Sequence, residues 1–112
     1  MAQHFRELLE ALKAQIARMA AMVQQTIEQS IESVFTLDTR LARNVIESDQ
    51  RIDDEEVRIE RSAIALLALH APAANDLRLI TGIIKANSDY ERIADCAVNI
   101  AQRVAPLSQL EK

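Results

Sequence analysis

Tryptophan is absent, and the aromatic set is one tyrosine and two phenylalanines, 3 % of 112 residues. With so few, neither an aromatic-rich β-sandwich core nor a base-stacking ladder can be assembled. There is one glycine and there are two prolines, Pro72 and Pro106. Tight β-turns draw on these residues, so a meander of short strands is disfavoured. Cys96 is the sole cysteine, which excludes a disulfide framework. No basic block occurs, and the net charge is −4, which argues against general nucleic-acid binding. Nowhere do about eighteen apolar residues run together, so no segment reads as a membrane span.

What remains suits helix. Ala, Leu, Ile, Glu, Arg and Gln dominate, and 49 % of the residues are hydrophobic. This length favours a single domain over residues 1–112. The first ten residues carry His4, Arg6 and Glu7 rather than the apolar core of a signal peptide. A reducing, intracellular setting follows as the expectation, with a cytoplasmic location.

Apolar residues mark three helices. The first carries Phe5, Leu9, Leu12, Ile16, Met19, Val23, Ile27 and Val34 at steps of mostly three and four. Asp38 or Thr36 is placed to cap the second helix, which carries Leu41, Val45, Ile52, Ile59 and Leu66. Pro72 ends it and opens the third, which carries Leu77, Ile80, Ile84, Ala94, Val98 and Ala101 and stops before Pro106. The predicted spans are roughly residues 3–35, 38–70 and 73–104. Each is roughly 45 Å long at 1.5 Å per residue. Short loops make neighbours antiparallel, so the predicted fold is all-α: an up-down-up three-helix bundle of long helices in a spectrin-like arrangement.

Two acidic i, i+4 steps stand out, Asp49 with Asp53 and Glu91 with Asp95. At about 100° per residue, Asp49, Asp53, Glu56 and Glu60 fall within about 60° of one another. Asn87, Glu91 and Asp95 interrupt the apolar stripe of the third helix. Arg43, Arg51, Arg58 and Arg61 project from the other half of the second helix, and Arg78, Lys85, Arg92 and Arg103 flank the third. Counted from Ala71, the first pair lies about twenty residues back and the second about twenty-two forward, side by side in a hairpin.

Four like charges at one level call for a cation. Carboxylate oxygens suit magnesium, manganese, calcium or iron. A ferritin-type di-iron oxidase needs a Glu-x-x-His step, and neither His4 nor His70 provides one. From the pattern alone, a solvated acidic face stands beside the metal reading. His70 reads as a residue near a helix C-terminus, Cys96 as a small packing or surface residue, and Met19 and Met22 as core.

Three stretches then carry a resemblance: Asp49-Gln-Arg-Ile-Asp53, Pro72-Ala-Ala-Asn-Asp-Leu-Arg-Leu-Ile80 and Tyr90-Glu-Arg-Ile-Ala-Asp-Cys-Ala-Val-Asn-Ile-Ala101. In order, spacing and identity they resemble the PhoU family of phosphate-uptake regulators. The resemblance implies three-helix bundles, usually two in tandem, whose Glu/Asp-x-x-x-Asp steps bind multinuclear metal clusters, iron among them. Carried over, the metal ligands are Asp49, Asp53, Glu91 and Asp95. Manganese, magnesium and zinc stay open as the metal. The resemblance further implies negative regulation of phosphate import, through the phosphate ABC transporter and a membrane sensor kinase. Peripheral membrane association would come through those partners. Asp76-Leu77-Arg78 matches a family motif, with Asp76 placed to bond near the helix start. One bundle stands where the family usually has two, and a homodimer would restore the pair.

No catalytic residue is assigned, because no His, Ser or Lys stands beside the acids as base or nucleophile. The expected function is a non-enzymatic, metal-binding regulator of phosphate uptake or signalling. Two alternatives remain: a metal-dependent phosphoester hydrolase, in which the metal activates water, and a metal-free helical adaptor or dimerisation module.

Overall fold

The computed structural model describes residues 2–111. Four helices follow one another: α1 (Ala2–Thr36), α2 (Thr39–His70), α3 (Ala74–Ala101) and α4 (Val104–Glu111). There is no β-strand among the described residues. Each of α1, α2 and α3 packs along both others in a rod of 63 × 17 × 17 Å. The predicted antiparallel bundle is the observed one.

Two residues, Leu37 and Asp38, join the first two helices. Leu37 is left-handed at φ 52°, its N–H reaching the Val34 carbonyl at 3.4 Å. The Asp38 N–H then bonds the Ser33 carbonyl at 3.0 Å, which closes α1 as a Schellman motif. Asp38 next turns its carboxylate forward and accepts from the Leu41 N–H at 3.0 Å, capping α2. So the sequence expectation that named Thr36 or Asp38 resolves to Asp38.

At the far end α2 closes on Ala71, left-handed at φ 41°. Glycine holds that conformation without the clash a Cβ brings. Ala71→Gly is therefore expected to stabilise the fold by about 1 kcal/mol. The check is a higher urea midpoint at unchanged slope; a midpoint that fails to rise would show the turn is not under strain. Beyond it, Asp76 in the first turn of α3 takes a two-pronged bond from Arg6 of α1, at 3.1 and 2.8 Å. This ties the start of α3 to the start of α1, rather than only bonding near its own helix end.

The third helix corrects the predicted boundary. It ends at Ala101 rather than Val104, and α4 was not foreseen. Pro106 has no N–H to offer the Gln102 carbonyl, so the backbone breaks at residues 102–103. The same proline is tolerated in the first turn of α4, where that N–H would be unpaired anyway.

The main core joins Leu9, Leu12, Met19 and Val23 of α1 to Ile52, Ile59 and Leu66 of α2 and Ile80 and Ile83 of α3. A smaller cluster of Ala42, Val45, Val98, Ala101 and Val104 seals the other end. Leu77, placed on the apolar stripe by periodicity, is instead exposed, and Ile83 and Ala97 take the inward positions.

Candidate metal centre

The heptad-like run Val45, Ile52, Ile59 and Leu66 points α2 inward. Asp49, Asp53 and Glu56 lie beside that stripe and are half-buried along the seam with α3. On α3 the inward residues Asn87 and Ala94 leave Glu91 half-buried on the same seam and Asp95 exposed at its edge. Asp49, Asp53 and Asp95 each bring one carboxylate oxygen within 4.8 Å of the others. Glu91 stands next in line: it is hydrogen-bonded to Asp95 and feels Asp95, Glu56 and Asp53. The two acidic steps therefore do meet across the helix pair, at adjoining levels.

The electrostatics fit closely placed like charges. Burial first, then hydrogen bonding to Asp95 and the charges of Asp95, Glu56 and Asp53, raise the Glu91 carboxyl to about 7. Burial, then Asp53 and Asp95, push Asp49 upward. Burial also raises Glu56, with Glu60, Asp53 and Asp95 adding to it. Glu56 thus joins the cluster, although the sequence reading did not assign it as a ligand. Its signal was present, since it shares the arc of Asp49 and Asp53 at the i+7 position.

Positive side chains go elsewhere. Among the described residues the ion pairs are Arg6–Asp76, Lys13–Glu10, Arg58–Glu55 and Arg92–Asp89. None reaches the cluster, and Lys13 of α1 is held by Glu10. Asp49 Oδ1 is buried with no hydrogen-bond partner. Buried acceptors normally have one. A hard divalent cation would satisfy that oxygen and offset the repulsion together. The donor set is all oxygen, which favours magnesium, manganese, calcium or iron over the nitrogen- and sulfur-seeking preference of zinc. Asp49, Asp53 and Asp95 are the residues that would hold the ion, with Glu91 and Glu56 beside them.

Cys96 is exposed. Met19 is fully buried, and Met22 packs against the core. His70 ends α2 with its ring 5.4 Å from Phe5 and 6.1 Å from His4, at the opposite end of the seam from Asp49. A cavity of about 450 Å³ between α1 and α2 is lined by Leu8, Ala14, Ala65 and Leu69 among others and contains none of the clustered acids.

Residues 16–104 match the PhoU domain model. The chain belongs to the PhoU family. That PhoU match takes in α2 and α3 entire, and with them every carboxylate of the cluster. A PhoU homolog of the phosphate-specific transport system accessory protein in Aquifex aeolicus is 45 % identical over 105 residues, which cover 94 % of this chain and 47 % of that protein. In Thermotoga maritima, PhoU homolog 1 is 38 % identical over 106 residues, 95 % of this chain and 46 % of the relative. The PhoU of Escherichia coli, an accessory protein by name, is 35 % identical over 98 residues, 88 % and 41 % of the two chains. This PhoU-type chain therefore spans about half the length of these relatives or less. No helix among the described residues is long and apolar enough to cross a membrane.

Proposed function

We propose that this chain is a metal-binding, non-enzymatic regulator of phosphate uptake or phosphate signalling. The relatives named as accessory proteins of phosphate-specific transport support the regulatory part. One observation carries the metal part: carboxylates of two helices meet within 4.8 Å with no cation of the protein among them. The metal would brace the α2–α3 seam and so set the outer surface that partners read. Those partners are the phosphate ABC transporter and its membrane sensor kinase, contacted from the cytoplasmic side. Elemental analysis of protein purified without chelator or affinity tag tests the metal. The expected result is a manganese, iron or magnesium content near or above one per chain; protein free of divalent metal that takes up none on titration would refute it.

A homodimer belongs to the same reading. Ile64 and Leu69 of α2 and Phe35 of α1 are exposed, at 51, 78 and 84 %. A second copy could cover such surface and restore two bundles. Light scattering at high micromolar concentration should return the dimer mass, and a monomer there would remove this part of the proposal.

A further inference from the structure

Among the described residues four polar side chains are buried: Thr26, Ser30, Ser33 and Asn87. The three hydroxyls donate back to carbonyls of their own helix, Met22, Ile27 and Ser30. Asn87 behaves differently. It is 2 % exposed, and its Nδ2 crosses from α3 to donate to the Glu56 main-chain oxygen of α2 at 2.9 Å. That contact fixes the amide orientation, because a carbonyl oxygen can only accept. Oδ1 is then turned away from it, buried and without a hydrogen-bond partner. An orphaned acceptor loses more than a hydrogen bond normally yields. Its position is telling. Asn87 lies one turn before Glu91 and is bonded to the main chain of Glu56, two acids that feel one another.

We propose that Asn87 Oδ1 is a neutral oxygen ligand for a hard divalent cation held by Glu56 and Glu91. That position continues the seam beyond Asp49, Asp53 and Asp95. Amide carbonyl oxygens are ordinary ligands of such ions, and the bond to Glu56 holds the oxygen in place before the ion arrives. The inference rests on the metal reading above. The rival role for a buried asparagine is to fix the register of two helices, with no metal involved.

Manganese titration by calorimetry, with melting curves taken with and without manganese, separates the two roles. Asn87→Leu keeps the branched outline of the side chain and removes the oxygen. It should bind manganese about tenfold more weakly or lose one equivalent, while its metal-free form melts no lower than wild type. Asn87→Asp keeps an oxygen and adds a charge. It should bind at least as tightly as wild type, while its metal-free form melts lower. Equal manganese affinity in wild type and both variants would overturn the ligand role, and an equal melting loss with and without metal would assign Asn87 to register. If the leucine variant does not fold, the aspartate variant decides alone: weaker binding overturns the proposal. Wild type that takes up no manganese overturns the metal reading and this inference with it; wild type that binds while Asn87→Leu binds equally well overturns this inference alone.

Discussion

The metal-free protein carrying Asp53→Asn and Glu91→Gln is expected to melt higher than metal-free wild type, by about 5 °C at pH 8. Two like charges about 5 Å apart repel by about 3 kcal/mol at an effective dielectric of 20, and less where solvent screens them. Both substitutions keep size and nearly keep helix propensity, and they delete two of the charges crowded between α2 and α3. With metal the order reverses. Wild type at a hundred times its dissociation constant gains about 2.7 kcal/mol by linkage, roughly 10 °C for a domain of this size. The double mutant, short of two ligands, gains almost nothing. In cells lacking their own copy it should also fail to restrain phosphate import, measured as uptake of labelled inorganic phosphate. A double mutant that melts like metal-free wild type, responds to metal like wild type and regulates fully would show that these carboxylates are ordinary surface charge.

How far the sequence reached can be read from particular residues. The apolar steps through Val45, Ile52, Ile59 and Leu66 predicted α2 closely, because a stripe one heptad apart admits a single inward face. The depth argument from Ala71 put Asp49 and Asp53 beside Glu91 and Asp95, because a short turn leaves an antiparallel pair little freedom of register; of these, Asp49, Asp53 and Asp95 bring carboxylate oxygens within 4.8 Å of one another. Where the sequence was silent, the reason is physical. Thr26, Ser30 and Ser33 replace apolar residues on the buried face of α1, bonding their own helix, and a hydrophobic pattern cannot see them. Leu77, three residues before Ile80, fits the apolar steps, yet it is exposed near the start of α3. Pro106 looked like a stop although a proline also fits a first turn, so α4 was missed. Glu56 was on the right arc, but angle alone does not say how deep a side chain sits.

Stability of the metal-free protein should fall as pH rises from about 5 to about 8. Glu91 sets the window. Its carboxyl lies at about 7 in the fold, against an ordinary 4.5. Between those values the folded state keeps a proton that the unfolded chain has released, so raising the pH favours unfolding. Asp49 and Glu56 are shifted in the same direction and add to the slope. After discounting for solvent screening, the loss is about 2 kcal/mol, or roughly 10 °C in melting temperature. Metal inverts the trend. Ligand carboxylates must shed their protons to coordinate, so manganese affinity should climb as pH rises and level off above about 7. Melting curves across pH 5 to 8, with and without manganese, therefore cross. Glu91→Gln removes the titrating group and should flatten the metal-free curve. A metal-free melting temperature that stays level or rises across this range, with Glu91→Gln making no difference, would mean that Glu91 is ionised throughout and that the seam is open to water.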